Sequence, residues 1–266
     1  MKLSISNIGW VPENDLAVYE YMKNSGFEGL EIAPTRVVSG NPYEDLSSAK
    51  SWYEEIRSNY GFDVPSIQSM WFGHNEKILG SNEEREFLLD YTKKAIDFAS
   101  VVKCPNIVFG CPRHRAIPEG MSVADAENIL IPFFKEISDY AYEKGTIIAL
   151  EANPPIYNTN VMNTTREAIE MIAKVDSMGC MLNLDVGTMV ENGEAAGDLR
   201  GFVNLINHVH ISEPFLNPIV ARDLHKELKA VLEDGGYDRY ISIEMGSKNE
   251  VSTVYDSIDY VKGIFA

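Results

Sequence analysis

Four residues in the second half of the chain bring together types that could do chemistry: Glu151 in ALEAN, Asp185 in NLDVG, His210 in HVHIS and Glu244 in SIEMG. Each lies in a short run where apolar and polar residues alternate. Ile148 and Leu150 oppose Ala149, Glu151 and Asn153, while Leu182, Leu184 and Val186 oppose Met181, Asn183 and Asp185. Val209 and Ile211 oppose His208, His210 and Ser212, and Ile241, Ile243 and Met245 oppose Ser242 and Glu244. Successive side chains of a strand leave on opposite faces, so the four share the polar face of their strands. Taken singly, an acid at a strand end reads as an ordinary ion pair; with matching parity, the four point to one centre. Three carboxylates and an imidazole in close quarters repel strongly without a compensating cation. The oxygen-rich set suits one divalent ion, Mn2+ or Mg2+ first, with Zn2+, Co2+ and Fe2+ as the other candidates. An ion gripping a carbonyl and its neighbouring hydroxyl acidifies the C–H bond between them and stabilises an enediolate. A carboxylate on each side can then take a proton and return one. Return to the same carbon from the opposite face is epimerisation, and return to the neighbouring carbon is isomerisation.

The elements that must position these residues repeat along the whole chain. Strand-like runs occur at 3–6, 29–33, 64–70, 106–110, 146–153, 180–187, 208–212 and 240–246, and longer stretches with helical spacing separate them. The clearest is Glu83 to Val102, with Phe87, Leu88, Tyr91, Ala95, Phe98 and Ala99 at three-to-four spacing behind Ser81-Asn82-Glu83-Glu84, a capped start. Ser122 to Lys144 and the stretch opening at Thr164 repeat it. Eight runs in 266 residues give one strand–helix unit about every 33 residues, the size of a βα repeat. An open doubly wound sheet would bury apolar residues on both faces of its strands. The polar inner face instead predicts an α/β chain folded as a single (β/α)8 TIM barrel over residues 1–266, with the polar residues at the carboxyl ends of its strands, where such barrels do chemistry.

Composition narrows the partners. Lys and Arg number 23 against 40 Asp and Glu, a formal net charge of −17, which repels phosphate backbones and disfavours nucleic acid. Cys104, Cys111 and Cys180 are odd in number and lack metal-finger spacing, as expected of reduced thiols. The amino terminus lacks the apolar core of a signal peptide and no apolar run is long enough to span a membrane, so a soluble, cytoplasmic protein is expected.

With Glu151, Asp185, His210 and Glu244 in that order, the sequence resembles the xylose isomerase-like TIM-barrel superfamily from its first strand to its last. This superfamily includes ketose 3-epimerases, hydroxypyruvate isomerase, inosose dehydratase and apurinic endonucleases of the endonuclease IV type. The resemblance implies that the four residues bind one divalent metal and that Glu151 and Glu244 act as acid and base on a sugar or sugar phosphate. It also implies a dimer or tetramer. Two other activities share the scaffold: a lyase of the inosose dehydratase kind, and a barrel that only binds sugar. One position departs from the pattern. Sugar epimerases of the group commonly read Asp-x-Gly-His, and here Thr188 replaces that histidine. The endonucleases use the same histidine as a zinc ligand, so the nuclease reading loses a metal site.

Further candidates surround the expected mouth. Glu31 and Gln68 could hydrogen-bond sugar hydroxyls or fill a polar barrel layer, and His208 lies one layer below His210. Trp71 and His74 follow the third run and could border substrate, as could Trp10 after the first. Arg113-His114-Arg115 is the one dense basic cluster, and Arg113 with Arg115 could clamp a phosphate or carboxylate. Asn153, Thr188 and Glu213 complete the expected substrate contacts.

Overall fold

The computed structural model describes residues 1–247 and 250–266. Strands and helices alternate: β1 Lys2–Ser6, α1 Asp15–Ser25, β2 Gly29–Glu31, α2 Leu46–Tyr60, α3 Asn82–Val101, β3 Ile107–Phe109, α4 Val123–Glu143 and β4 Ile148–Glu151. Then follow α5 Thr165–Val175, β5 Cys180–Asp185, α6 Val186–Asn192, β6 Ile206–Ser212, α7 Asp223–Asp234, β7 Tyr240–Glu244 and α8 Val251–Phe265. The strands pair in parallel in the order β2-β1-β7-β6-β5-β4-β3. Among the described residues, no helix is long and apolar enough to cross a membrane.

The third expected strand takes a different form. Residues 64–70 make isolated bridges rather than a ladder, with Gly29 opposite Asp63, and Ile67 opposite both Ile32 and Ile107. Pro65 lacks the N–H that a strand bonded on both sides needs. The remaining groups still close the ring: Leu30 N–H donates to Asp63 O at 2.9 Å, Gln68 N–H to Ile32 O at 2.9 Å, and Val108 N–H to Ile67 O at 2.8 Å. The result is a closed (β/α)8 barrel.

Helix starts follow local chemistry. Ser81 and Thr164 each form a reciprocal capping box with the glutamate three residues on, Glu84 and Glu167. The 180–187 run ends earlier than its apolar pattern predicts, because the Asp185 carboxylate accepts the Thr188 N–H and starts α6 at Val186. Leu3, Ile5, Leu30, Ile32, Leu182, Leu184, Ile241 and Ile243 are buried in the layer beneath the helices. Inside the barrel polar side chains are buried and several are bonded to one another, as in Gln68 Nε2 to Ser6 Oγ at 2.7 Å and Asn106 Nδ2 to Ser66 Oγ at 3.0 Å. Between β5 and β6 the register slips: Leu182 pairs with Ile206, but Asn183 pairs with His208. That extra residue turns His208 and His210 inward beside Asn183 and Asp185, since a one-residue shift exchanges the faces of a strand.

Candidate metal centre

Glu151, Asp185, His210 and Glu244 end or lie near the carboxyl ends of β4 to β7, and the barrel brings them together. Ligand atoms of Glu151, Asp185 and His210 all fall within 4.8 Å of one another. His210 Nδ1 lies 3.2 Å from Glu151 Oε2 and 3.3 Å from Glu244 Oε2. Two of the carboxylates, Glu151 and Asp185, are held by further hydrogen bonds. Asn153 Nδ2 donates to Glu151 Oε1 at 2.9 Å and Asn183 Nδ2 to Oε2 at 2.7 Å. Thr188 N–H donates to Asp185 Oδ2 at 2.8 Å, and Ser212 Oγ donates to Oδ1. Gly110 leaves room for Glu151, since a Cβ there would sit 2.4 Å from Oε1.

The charges are poorly balanced. Burial, reinforced by Glu151, pushes Asp185 up to about 6. Burial also raises Glu244, to about 7, with Glu151 and Asp185 adding to the effect against His210. For His210 burial favours the neutral ring, yet Glu244 and Glu31 reverse this and hold it well above the usual imidazole range. A divalent ion would relieve this crowding, and the donor set of carboxylate oxygens plus one imidazole nitrogen fits one.

A cavity of about 630 Å3 opens beside the centre. Trp71, Phe72, His74, Arg113, Tyr157 and Phe215 form much of its wall. Gly110 also lines it and, packed against Glu151, joins the cavity to the carboxylates.

A family model described as the xylose isomerase-like TIM barrel matches residues 19–263. The chain belongs to that family. A search of curated proteins finds no match. Among solved structures, the apo 3-keto-D-glucoside 4-epimerase YcjR from E. coli superposes with a TM-score of 0.77 at 21% identity, over 99% of each chain. D-psicose 3-epimerase from Clostridium cellulolyticum H10, solved with D-tagatose, gives 0.80 at 15% identity, over 100% of this chain and 99% of that one. The IOLI protein with a binding zinc atom gives 0.71 at 18% identity, covering 99% and 96%. At these identities the likeness shows the fold.

Within this xylose isomerase-like barrel several expected substrate contacts are spent on the protein itself. Arg115 is fully buried, and its guanidinium donates to Glu151 O at 2.9 Å, Asn153 Oδ1 at 3.0 Å, and the carbonyls of Phe109 and Val161 at 3.4 Å. Burial lowers it to about 10. It props the β4 end from beneath and cannot clamp a phosphate, which corrects that expectation. Glu31 is likewise no mouth residue: it is fully buried, and its Oε2 accepts from His208 Nε2 at 2.8 Å and His210 Nε2 at 3.0 Å. Gln68 is turned to Ser6 and Glu31. Glu213 forms a two-pronged pair with Arg222, at 2.8 and 2.5 Å, instead of lining the cavity as a substrate contact. The Thr188 hydroxyl lies 2.8 Å from both Ala152 O and Asp185 Oδ2, so it holds the strand end rather than facing outward. Trp10 is bonded to Asp15 within the core. The Trp71 indole donates to Thr92 Oγ1 at 3.0 Å and packs on Phe109, so its ring is fixed by the core while its edge lines the cavity. His74 and Arg113 line the cavity. Sequence reasoning missed Tyr157, Phe215 and the role of Asn183. Asn183 was detectable, because it shares the inward parity of Asp185. The two aromatics lie in loops whose course no periodicity signals.

Proposed function

We propose that this chain is a divalent-metal-dependent isomerase or epimerase of a sugar or related polyol ketone. The observation that carries the reading is the placement of Glu151 and Glu244 on the same imidazole nitrogen, with Asp185 beside them, at the edge of an aromatic-walled cavity. Glu151, Asp185, His210 and Glu244 hold the ion, Mn2+ or Mg2+ by preference of the donor set. When bound, the ion polarises the substrate's carbonyl and adjacent hydroxyl and so acidifies the C–H bond between them. Glu151 and Glu244 move the proton. Asn153, Asn183 and Gly110 keep Glu151 aligned, while Ser212 and Thr188 keep Asp185 in place. Phe72, Tyr157 and Phe215 supply apolar surface for the carbon face of a sugar. The epimerases among the structural neighbours support this class of chemistry. Of the two arginines once paired for a phosphate, Arg113 alone lines the cavity, which favours an unphosphorylated substrate.

The test is deuterium uptake from solvent across a panel of ketoses, keto-glycosides and their phosphates, with Mn2+ present. Glu244→Gln should lower exchange by roughly 10²–10⁴, as loss of a general base does, in protein shown by calorimetry still to bind Mn2+. A rate within tenfold of the parent would remove Glu244 from the proton path. No uptake from any substrate would leave a barrel that only binds ligand, and a product short of one water would make it a lyase.

A further inference from the structure

The carboxylate of Glu31 has no place among the expected ligands and none at the cavity wall, yet it is fully buried at the end of β2. A buried carboxylate is costly unless hydrogen bonds satisfy it. Here one oxygen, Oε2, accepts from two imidazoles, His208 Nε2 at 2.8 Å and His210 Nε2 at 3.0 Å. The amide of Gln68 reaches the other oxygen at 3.4 Å and is tied in turn to Ser6. His210 is therefore suspended between two sets of groups. Its Nε2 meets Glu31, while its Nδ1 faces Glu151 at 3.2 Å, Glu244 at 3.3 Å and the Asn183 amide nitrogen at 3.2 Å. A carboxylate can only accept, so Nε2 must carry its hydrogen. In the neutral ring, the form that can ligate, the nitrogen left to offer a lone pair is then Nδ1, the one among the other ligand atoms. Partners of this kind commonly fix the tautomer and orientation of a metal-binding histidine.

We propose that Glu31 is the positioning residue of the centre: by accepting from His210 Nε2 it sets the tautomer that presents Nδ1 to the metal, and His208 braces Glu31 from its other side. This inference rests on the reading that His210 ligates a divalent ion. A buried ion pair serving stability alone would shift the melting temperature of a Glu31 variant without touching metal affinity. Positioning predicts that folded Glu31→Gln, which keeps size and one acceptor, binds Mn2+ roughly 10–100-fold more weakly by calorimetry. Affinity within threefold of the parent, in protein whose circular dichroism is unchanged, would overturn the proposal. A second measurement needs no variant. In Zn2+-loaded protein with 15N-labelled histidine, the His210 signals should show a protonated Nε2 and a metal-shifted Nδ1. A metal-shifted Nε2, or a protonated Nδ1, would overturn it even if Glu31→Gln fails to fold. Parent protein that binds neither ion removes the functional reading and this inference with it. Parent binding with an indifferent Glu31→Gln removes this inference alone.

Discussion

In the proposed function Glu151 carries two demands at once, since a ligand and base must be both charged and immobile. Its two oxygens take one amide each, from Asn153 and Asn183, and its backbone carbonyl takes Arg115. Arg115, the buried member of the basic cluster, thus acts indirectly, by fixing the loop from which Asn153 reaches back. The space for the carboxylate is provided by Gly110, where an added Cβ would approach Oε1 to 2.4 Å. Gly110→Ala should therefore displace a ligand while leaving the barrel intact. Its Mn2+ affinity, measured by calorimetry, should fall on the order of tenfold or more, the range seen when a ligand's support is disturbed. Unchanged affinity would mean that Glu151 swings freely to the metal and that its supports are incidental.

At the scale of elements, the weakest seam is the segment 63–68, which closes the ring with separate bridges instead of a ladder. Gly29 opposite it is packed so tightly that a Cβ would sit 2.7 Å from the Tyr240 ring and 2.9 Å from Pro65 Cγ. Both neighbours are stiff, and forcing carbon into such a gap typically costs about 1–3 kcal/mol. Gly29→Ala should lose stability of that order in urea unfolding. The same substitution at Gly263, exposed in α8 with nothing within 4 Å of the added carbon, should gain up to about 1 kcal/mol from helix propensity. Equal effects at the two sites would show that packing at the seam is slack. Closure at this seam also matters for the centre, because it holds Gln68 against Glu31 beneath His210.

For the whole molecule, a net charge of −17 coexists with a buried cluster of carboxylates, so pH and metal should act together on stability. In the metal-free chain Asp185 and Glu244 are raised to about 6 and about 7, so the folded state keeps protons that the unfolded chain has released. His210, held well above the imidazole range, does the same at higher pH. Wherever the folded state binds more protons, stability falls as pH rises. The melting temperature of chelated protein should thus drop as pH rises from about 6.5 through the raised value of Glu244, about 7, and on into the range held by His210. At lower pH His208 and His225, which burial keeps neutral, pull the other way. Saturating Mn2+ should raise the melting temperature and flatten the slope, since ion binding replaces those protons and stabilises the native state by about 2.7 kcal/mol at a hundredfold excess over Kd. A chelated protein whose melting is flat across that window would contradict the crowding at the centre.

Alternation around Glu151, Asp185, His210 and Glu244 is enough by itself to predict strands, a polar inner face and four residues meeting at one end. A period of two is a local property, and barrel geometry does the rest. Helix starts at Ser81 and Thr164 are legible for the same reason, because a capping box lies within four residues. Only the tertiary structure decides which polar side chains remain available. Glu31 is claimed by histidines 177 and 179 residues away, and Arg115 by groups 36 and 38 residues on. Partners so distant in sequence meet only when the ring closes, and no spacing rule announces them. The slip between Ile206 and His208 is equally invisible beforehand, although it sets the imidazoles level with Asn183 and Asp185. The kinds of chemistry follow from residue types and parity, while the division of labour follows from who is already hydrogen-bonded to whom.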